Sequence, residues 1–159
     1  MGEPAADFGS VISRSRGVAD AMSKGVQYLF KKYNITLING FGKLAGENTV
    51  QVTAADNSVT EYKAPHIVIA TGARSRELPG IKQDGRRIIG YREAMTLPSL
   101  PSSMVVIGSG AIGSEFAYFY QSLGTDVTLV EYLPRILPLE DEEVSRTVER
   151  SFKKMKMKV

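Results

Sequence analysis

The chain has 159 residues, of which 43% are hydrophobic, and its formal net charge is +3 at pH 7. This length allows one domain or two small ones, and the apolar content is sufficient for a folded core. The sequence has no cysteine and no apolar run close to the ~18 residues of a membrane span, and its first residues lack the apolar segment of a signal peptide. These observations exclude disulfides and thiol chemistry within this chain and favour a cytoplasmic type of protein.

The first predicted element is a long helix. Asp7 can cap its start, and apolar residues recur at three- and four-residue spacing over positions 11–33. Gly17 and Gly25 weaken a helix, so we expect close packing of a neighbouring element at these glycines.

A strand and a hairpin are predicted next. The short apolar run at residues 35–38 predicts a buried strand, and residues 39–42 predict a turn. Residues 49–53 and 59–63 flank a polar turn, Asp56-Asn57-Ser58, which is typical of an antiparallel hairpin.

Another buried strand is predicted at residues 66–70, and it continues into Thr71-Gly72-Ala73. From residue 75 to residue 101 glycine and proline are frequent. This composition predicts a linker with one short helix at about residues 92–96.

The most informative stretch is MVVIGSGAIGSEFA at residues 104–117. It predicts a strand, a glycine turn and a helix, with the glycines at the spacing of a dinucleotide-binding fingerprint. Gly108 allows a tight turn, Gly110 lets the backbone approach a pyrophosphate, and Gly113 lets the helix pack against the strand. The helix N-terminus would supply free N–H groups and partial positive charge to the diphosphate.

The elements around this motif agree with it. An apolar face is predicted on the helix, followed by a glycine C-cap and a second strand at residues 126–130. The predicted face consists of Ile112, Phe116, Phe119 and Leu123, and the C-cap is Gly124.

An acid, Glu131, follows the second strand. A carboxylate accepts hydrogen bonds from a ribose 2′-hydroxyl and repels the 2′-phosphate of NADP, so Glu131 followed by Tyr132 favours NAD. Arg135, four residues on, keeps an NADP interpretation open.

Pro134 and Pro138 then interrupt the chain, and an acidic segment at residues 140–143 opens a last helix. Its predicted apolar side consists of Val144, Val148 and Phe152. Lysines at residues 153–158 end this helix, where complementing the helix dipole is a better explanation than nucleic-acid binding.

The fold class predicted from these elements is α/β, in two incomplete halves. Only one βαβ start follows the glycine motif, whereas a dinucleotide-binding half needs further parallel strands. The earlier half has strands and a hairpin but no glycine fingerprint. We therefore expect an internal piece of a longer protein.

Four segments carry a resemblance to a known family, at residues 24–32, 67–74, 106–115 and 135–143. They resemble the dihydrolipoyl dehydrogenase family, which belongs to the class I pyridine nucleotide-disulfide oxidoreductases. The resemblance implies three regions. Residues 7–74 would be the C-terminal part of an FAD-binding domain, residues 75–101 a linker, and residues 102–159 the N-terminal part of a Rossmann NAD-binding domain.

The resemblance also implies the cofactor-binding residues. Those expected to lie against FAD are Gly42, Thr71, Gly72 and Ala73. Those expected to bind NAD are Gly108, Ser109, Gly110, Ala111, Ile112, Gly113, Ser114, Glu115 and Glu131. Glu115 matches a glutamate that the family places near the meeting point of nicotinamide and flavin.

The sequence lacks several features that the family uses for catalysis and FAD binding. The redox CxxxxC disulfide, the catalytic His-Glu pair and the first FAD glycine motif are all missing from this sequence. His66, the only histidine, lies at a strand start and is interpreted as structural. We therefore predict no catalytic residue and no metal site in this chain, and expect it to be inactive when isolated.

The implied parent oxidises dihydrolipoamide and reduces NAD by way of FAD. Its expected partner is dihydrolipoamide carried on E2 subunits of 2-oxoacid dehydrogenase complexes, with no nucleic acid and no membrane. A homo-oligomer is expected, in the cytoplasm or, for a eukaryotic source, in the mitochondrial matrix. Two alternatives stay open: a glutathione- or mercuric-reductase-like parent, or a non-catalytic NAD-binding or assembly module.

Overall fold

The computed structural model describes residues 6–159 and has an α/β fold, as the sequence predicts. In chain order the elements are α1 (Phe8–Lys32), β1 (Phe41–Leu44), β2 (Thr49–Thr53), β3 (Val59–Lys63), α2 (Tyr91–Ala94), β4 (Ser103–Ile107), α3 (Ala111–Ser122), β5 (Asp126–Val130) and α4 (Glu142–Lys154). They form two compact units. The first comprises the chain up to Arg16 together with Glu77–Val159, and the second is Gly17–Arg76. No helix among the described residues is long and apolar enough to cross a bilayer.

Helix α1 begins where the sequence predicts it to begin. The Asp7 carboxylate accepts hydrogen bonds from the backbone N–H of Gly9 (3.1 Å) and from the hydroxyl of Ser10 (2.5 Å), which satisfies donors of the first turn. The expected packing at Gly17 and Gly25 is wrong, because no atom lies within 4 Å of a Cβ placed at either glycine. Both glycines lie on open sides of the helix.

The second unit contains a three-stranded antiparallel sheet of order β1-β2-β3. The predicted hairpin is confirmed with its predicted bounds, and Thr49 pairs with Lys63 at its open end. The turn predicted at residues 39–42 is wrong in its second half, because Phe41 and Gly42 belong to β1. The edge of β2 that faces away from β3 offers unpaired backbone groups, and these residues pair with it, Gly42 opposite Val52.

Two segments of the second unit that were predicted to be strands do not form strands. Residues 35–38 and 66–70 have no regular structure. Most of their side chains are exposed, with Leu37 54%, Val68 88% and Ile69 69% accessible. A strand exists only when a neighbour completes its hydrogen bonds. None of the described strands pairs with either segment.

The first unit is built on the predicted strand-turn-helix-strand sequence. Strands β4 and β5 pair in parallel, from Ser103 opposite Asp126 to Ile107 opposite Val130. The C-cap of α3 is Leu123, one residue before the predicted Gly124. Gly124 follows Leu123 with φ +103°, the left-handed conformation in which a glycine commonly ends a helix.

The parallel sheet continues beyond what the sequence indicates. The Leu129 N–H donates to the Lys158 carbonyl (2.8 Å), and the Lys158 N–H donates to the Val127 carbonyl (3.3 Å). Thus Lys158, which follows α4, forms an isolated parallel bridge to Thr128 of β5. A crossover helix that returns the chain to the free edge of β5 is the connection expected in a doubly wound sheet.

The buried apolar core of the described residues lies in the first unit. Its members are Phe8, Ala94, Ala117, Tyr120, Val127, Leu129, Ile136, Phe152 and Met157. Phe119 and Tyr120 form an edge-on aromatic pair with ring centroids 5.0 Å apart, and Phe8 packs against both rings.

Two helix faces differ from the sequence prediction. On α3 the predicted face member Ile112 is 63% exposed, whereas Tyr120 is fully buried. Ile112 lies in the first turn, beyond the edge of the core that the sheet covers. On α4 Phe152 is buried as predicted, but Val144 in the first turn is 47% exposed.

Candidate functional site

The turn between β4 and α3 is held in close backbone contact. Gly108 adopts φ +100°, a conformation that favours glycine, and its N–H donates to the Val130 carbonyl at 2.8 Å. A Cβ at Gly113 would lie 1.9 Å from the Gly108 carbonyl oxygen. Position 113 therefore has no room for a side chain, which is the packing role predicted for the third glycine.

The N-terminus of α3 is open. Gly110 is its N-cap residue and no side chain caps it. No atom lies within 4 Å of a Cβ placed on Gly110, and the first helical residues, Ala111 and Ile112, are exposed. The N–H groups of the first turn, with the positive end of the helix dipole, are thus available to an anion.

Glu131 is hydrogen-bonded to the glycine turn. Its Oε2 accepts from the Ser109 N–H at 2.9 Å and from the Ser109 hydroxyl at 2.6 Å. Its Oε1 accepts from the Leu133 N–H at 3.0 Å. The two bonds to Ser109 connect the residue after β5 to the glycine turn, and the bond to Leu133 fixes the loop that follows.

These donors also set the charge of Glu131. The Ser109 hydroxyl and the N–H groups of Leu133 and Ser109 lower the pKa of the Glu131 carboxyl from its ordinary 4.5 to about 2. The carboxylate is therefore ionised throughout the physiological range, half-buried beside the open end of α3. A second negative group placed against it would be repelled.

Ser109 is fully buried and its carbonyl is also fixed. That oxygen accepts from the Ser114 hydroxyl and from the Leu137 N–H, both at 3.0 Å. Leu137 adopts φ +47°, which is unusual for a leucine, and it connects the loop at residues 131–140 to the glycine turn.

Arg135 is directed into its own loop. Its Nη2 donates to the carbonyls of Pro138 (3.2 Å) and Glu140 (3.1 Å). A guanidinium used in this way braces the loop. The geometry therefore gives no support to Arg135 as a partner for a 2′-phosphate.

The remaining predicted site residues lie elsewhere. Glu115 is exposed on α3, one residue beyond Ser114. The four residues predicted to contact FAD belong to the second unit: Gly42 is in β1, whereas Thr71, Gly72 and Ala73 are exposed in irregular chain, with Gly72 at φ +79°. Their roles toward FAD stay predictions.

The residues of the turn fit a dinucleotide. Because Gly113 has no Cβ, the helix can pack closely against the glycine turn. Gly110 leaves the helix end accessible, and Glu131 is a charged acceptor. A carboxylate has about four acceptor positions, and three are filled here. The set suits a diphosphate attached to a ribose with free hydroxyls.

Some residues of this arrangement were not visible in the sequence. The N–H groups of Leu133 and Leu137 act through the backbone, so no side-chain pattern marks them. The Ser109 hydroxyl was only one member of a motif, and its bond to an acid 22 residues away follows from the parallel pairing of β4 with β5.

Known proteins resemble this chain along nearly all of its length. Dihydrolipoyl dehydrogenase of Chlorobaculum tepidum is 46% identical over 154 residues, covering 97% of this chain and 33% of the relative. Dihydrolipoyl dehydrogenase of Zymomonas mobilis is 42% identical over 157 residues, covering 99% of this chain and 34% of the relative. The chain thus spans about a third of the length of the curated relatives that it matches.

Solved structures of two proteins share the fold of this chain. LpdA of Mycobacterium tuberculosis superposes with a TM-score of 0.87 at 31% identity, covering 99% of this chain and 36% of that one. The flavoprotein disulfide reductase RclA of Escherichia coli gives 0.80 at 25% identity, covering 96% and 35%. The sequence matches the family described as pyridine nucleotide-disulphide oxidoreductase over residues 2–159. Since this match includes the glycine turn, Glu131 and all nine helices and strands described above, the chain belongs to the pyridine nucleotide-disulphide oxidoreductase family.

Proposed function

We propose that the turn between β4 and α3 binds NAD. The observation that carries this proposal is the ionised Glu131, hydrogen-bonded to Ser109 beside the uncapped N-terminus of α3. The helix end would hold the diphosphate, and the remaining acceptor position of Glu131 would take a ribose hydroxyl.

The same geometry favours NAD over NADP. A 2′-phosphate would lie against the Glu131 carboxylate, and Arg135, the cation that the sequence offers to neutralise it, is engaged with its own loop. We expect the conflict to cost ~1.4 kcal/mol or more, which corresponds to about tenfold weaker binding.

Calorimetric titration of the purified protein with both dinucleotides tests this proposal. Glu131→Gln removes the charge and should reduce the preference for NAD. Asp126→Asn is a matched control, since it removes one charge from the opposite end of β5, where Asp126 pairs with Lys158. NADP binding as tight as NAD binding to the unaltered protein would contradict the proposal.

We propose further that the whole protein is a dihydrolipoyl dehydrogenase. Proteins of this family use FAD and a pyridine nucleotide, and relatives that are 42–46% identical carry that name. When bound, FAD would supply the redox chemistry that connects the thiol substrate with NAD. The net reaction converts dihydrolipoamide and NAD⁺ to lipoamide, NADH and a proton.

Within that protein this chain would bind and orient cofactors. Residues 7–74 would contribute the backbone of Gly42 and of residues 71–73 to the FAD site. Residues 75–101 would form a linker between the two domains, and residues 102–159 would begin the NAD-binding domain. Glu115 would lie near the place where nicotinamide meets flavin. The proposed substrate is dihydrolipoamide on E2 subunits of 2-oxoacid dehydrogenase complexes, in the cytoplasm or the mitochondrial matrix.

The chain has no cysteine, so it cannot itself accept electrons from dihydrolipoamide through a disulfide. The 159-residue chain alone should therefore form no NADH from dihydrolipoamide and NAD, whereas the protein encoded by the complete gene should do so. NADH formation by the chain alone, above an enzyme-free control, would contradict this division of labour.

A second candidate is a different disulfide reductase. The superposition with RclA favours keeping it, because that protein is a flavoprotein disulfide reductase with the same fold in this region. Assays of the whole protein with dihydrolipoamide, glutathione disulfide and mercuric ion would separate these parents. A protein that binds NAD and reduces or oxidises none of them would be a binding or assembly module.

A further inference from the structure

We propose that the Ser109 hydroxyl is a built-in competitor of the ribose, and so determines how tightly NAD binds. This inference rests on the proposed NAD site. In this structure the hydroxyl donates at 2.6 Å to Glu131 Oε2, which is a position that a ribose hydroxyl would use.

The competition follows from counting acceptors. Oε2 already accepts two hydrogen bonds, both from Ser109, and Oε1 accepts one from Leu133. Only one acceptor position remains on a carboxylate that would meet the two adjacent hydroxyls of a ribose. For both ribose hydroxyls to donate to Glu131, one existing donor must leave.

Ser109 Oγ–H is the donor able to leave. The other two donors are backbone N–H groups, of Ser109 and Leu133, fixed by the turn and the loop. The Ser109 backbone is held by the Ser114 hydroxyl and the Leu137 N–H on its carbonyl, so only rotation of the side chain is free. A serine hydroxyl can turn by one rotamer step without moving the main chain.

Rotation has a cost that NAD must offset. Ser109 is fully buried, so a hydroxyl turned away from Glu131 exchanges a bond to a charged acceptor for a poorer one. Replacing Ser109 with alanine removes the competitor but keeps the Ser109 N–H bond to Oε2. We therefore expect Ser109→Ala to bind NAD about tenfold more tightly.

A purely structural role for the hydroxyl predicts the opposite. If its bond to Glu131 mainly shaped the turn, its loss would weaken binding of any ligand that uses the turn. Comparing ADP with 2′,3′-dideoxy-ADP separates the two explanations, since both carry the diphosphate and the adenine and only ADP has ribose hydroxyls. Competition predicts tighter ADP binding by Ser109→Ala with no change for the dideoxy compound.

The experiment is calorimetric titration of the purified protein, unaltered and as Ser109→Ala, with NAD, ADP and 2′,3′-dideoxy-ADP. Thr125→Val is the matched control. It removes a buried hydroxyl that donates to the Pro101 carbonyl at 2.8 Å and contacts neither Glu131 nor the glycine turn, so NAD affinity should not change. Thermal unfolding of each variant verifies that it is folded.

Tighter binding of NAD and ADP by Ser109→Ala, without a gain for the dideoxy compound, is the expected result. Weaker or equal NAD binding, or an equal gain for both diphosphates, would overturn the inference and leave the NAD site standing. If the unaltered protein binds neither NAD nor ADP, the proposed function itself is wrong and the inference with it.

Discussion

Glu131 contributes to the folded state as well as to the proposed site. Its two oxygens accept three hydrogen bonds, from one serine and one leucine of neighbouring segments. An ionised carboxylate only accepts, whereas an amide presents one acceptor and one donor. The chemistry of this position is therefore specific to an acid.

We predict that Glu131→Gln destabilises the protein by about 1 kcal/mol at pH 7, because the amide NH₂ would face a backbone N–H of Ser109 or Leu133. The folded-state pKa of about 2 lies below the ordinary 4.5. The stabilisation is then fully present above about pH 4.5 and is lost as the pH falls from there toward about 2.

Thermal unfolding between pH 7 and pH 3 measures this effect, and the difference between the two proteins should shrink at low pH. Glu142→Gln is the control, because its ion pair with Arg146 is exposed and should change stability by less than ~0.5 kcal/mol. A difference between the Glu131 proteins that is constant with pH would count against the assignment.

Substitution of Gly113 tests the close contact between α3 and the glycine turn. We predict that Gly113→Ala destabilises the protein by several kcal/mol or prevents folding, since its Cβ would meet the Gly108 carbonyl at 1.9 Å and the backbone cannot yield cheaply. Gly110→Ala is the contrast. It has open space and φ −62°, so stability should change by less than ~1 kcal/mol while NAD binding weakens. Equal stability of both variants, measured by denaturant unfolding, would refute the close contact.

At the scale of elements, α3 is the centre of the first unit. One side of α3 packs on β4 and β5, and its aromatic end reaches Phe8 of α1. Tyr120 also connects α3 to the short helix α2, because its hydroxyl donates to the Ala94 carbonyl. A four-residue helix such as α2 has little stability of its own and depends on contacts of this kind.

We predict that Tyr120→Phe costs about 1 to 2 kcal/mol, because it leaves the Ala94 carbonyl without this buried partner. Tyr118→Phe makes the same chemical change on the same helix at a residue that is 54% exposed, so it should be nearly neutral. Denaturant unfolding of both variants provides the comparison. Similar costs at the two positions would show that the bond contributes nothing measurable.

At the scale of the whole molecule, the two units differ in how much they bury. The buried apolar side chains described above are all in the first unit, and the second unit has none of them. Several large apolar residues of the second unit are exposed. Met22 and Ile69 are each 69% accessible and Val68 is 88% accessible. Uncovered apolar surface of this kind favours association.

We therefore expect the 159-residue chain alone to form a dimer or larger assembly through these exposed segments. Sedimentation velocity over a range of concentrations measures it. Val68→Ser together with Ile69→Ser should shift the equilibrium toward the monomer, whereas Val144→Ser on α4, 47% exposed in the other unit, should not. A single folded monomer at ~100 µM would contradict the expectation.

Local sequence determined the elements whose stabilising contacts are near in the chain. The Asp7 cap, the hairpin at 49–63 and the strand-turn-helix at residues 103–122 were all predictable, because caps, polar turns and glycine spacing act within a few residues. The family was indicated correctly by the resemblance of four segments, one of which contains the glycine fingerprint.

Tertiary structure alone decided what depends on distant partners. Residues 35–38 and 66–70 have the composition of buried strands, yet they are irregular and mostly exposed because a strand requires a neighbour that completes its hydrogen bonds. Lys158, in a polar run without strand pattern, pairs with β5 because α4 returns it to that edge. The bond from Ser109 to Glu131 likewise exists only because parallel pairing brings residues 22 apart to one end of the sheet, where a hydroxyl and a carboxylate can meet.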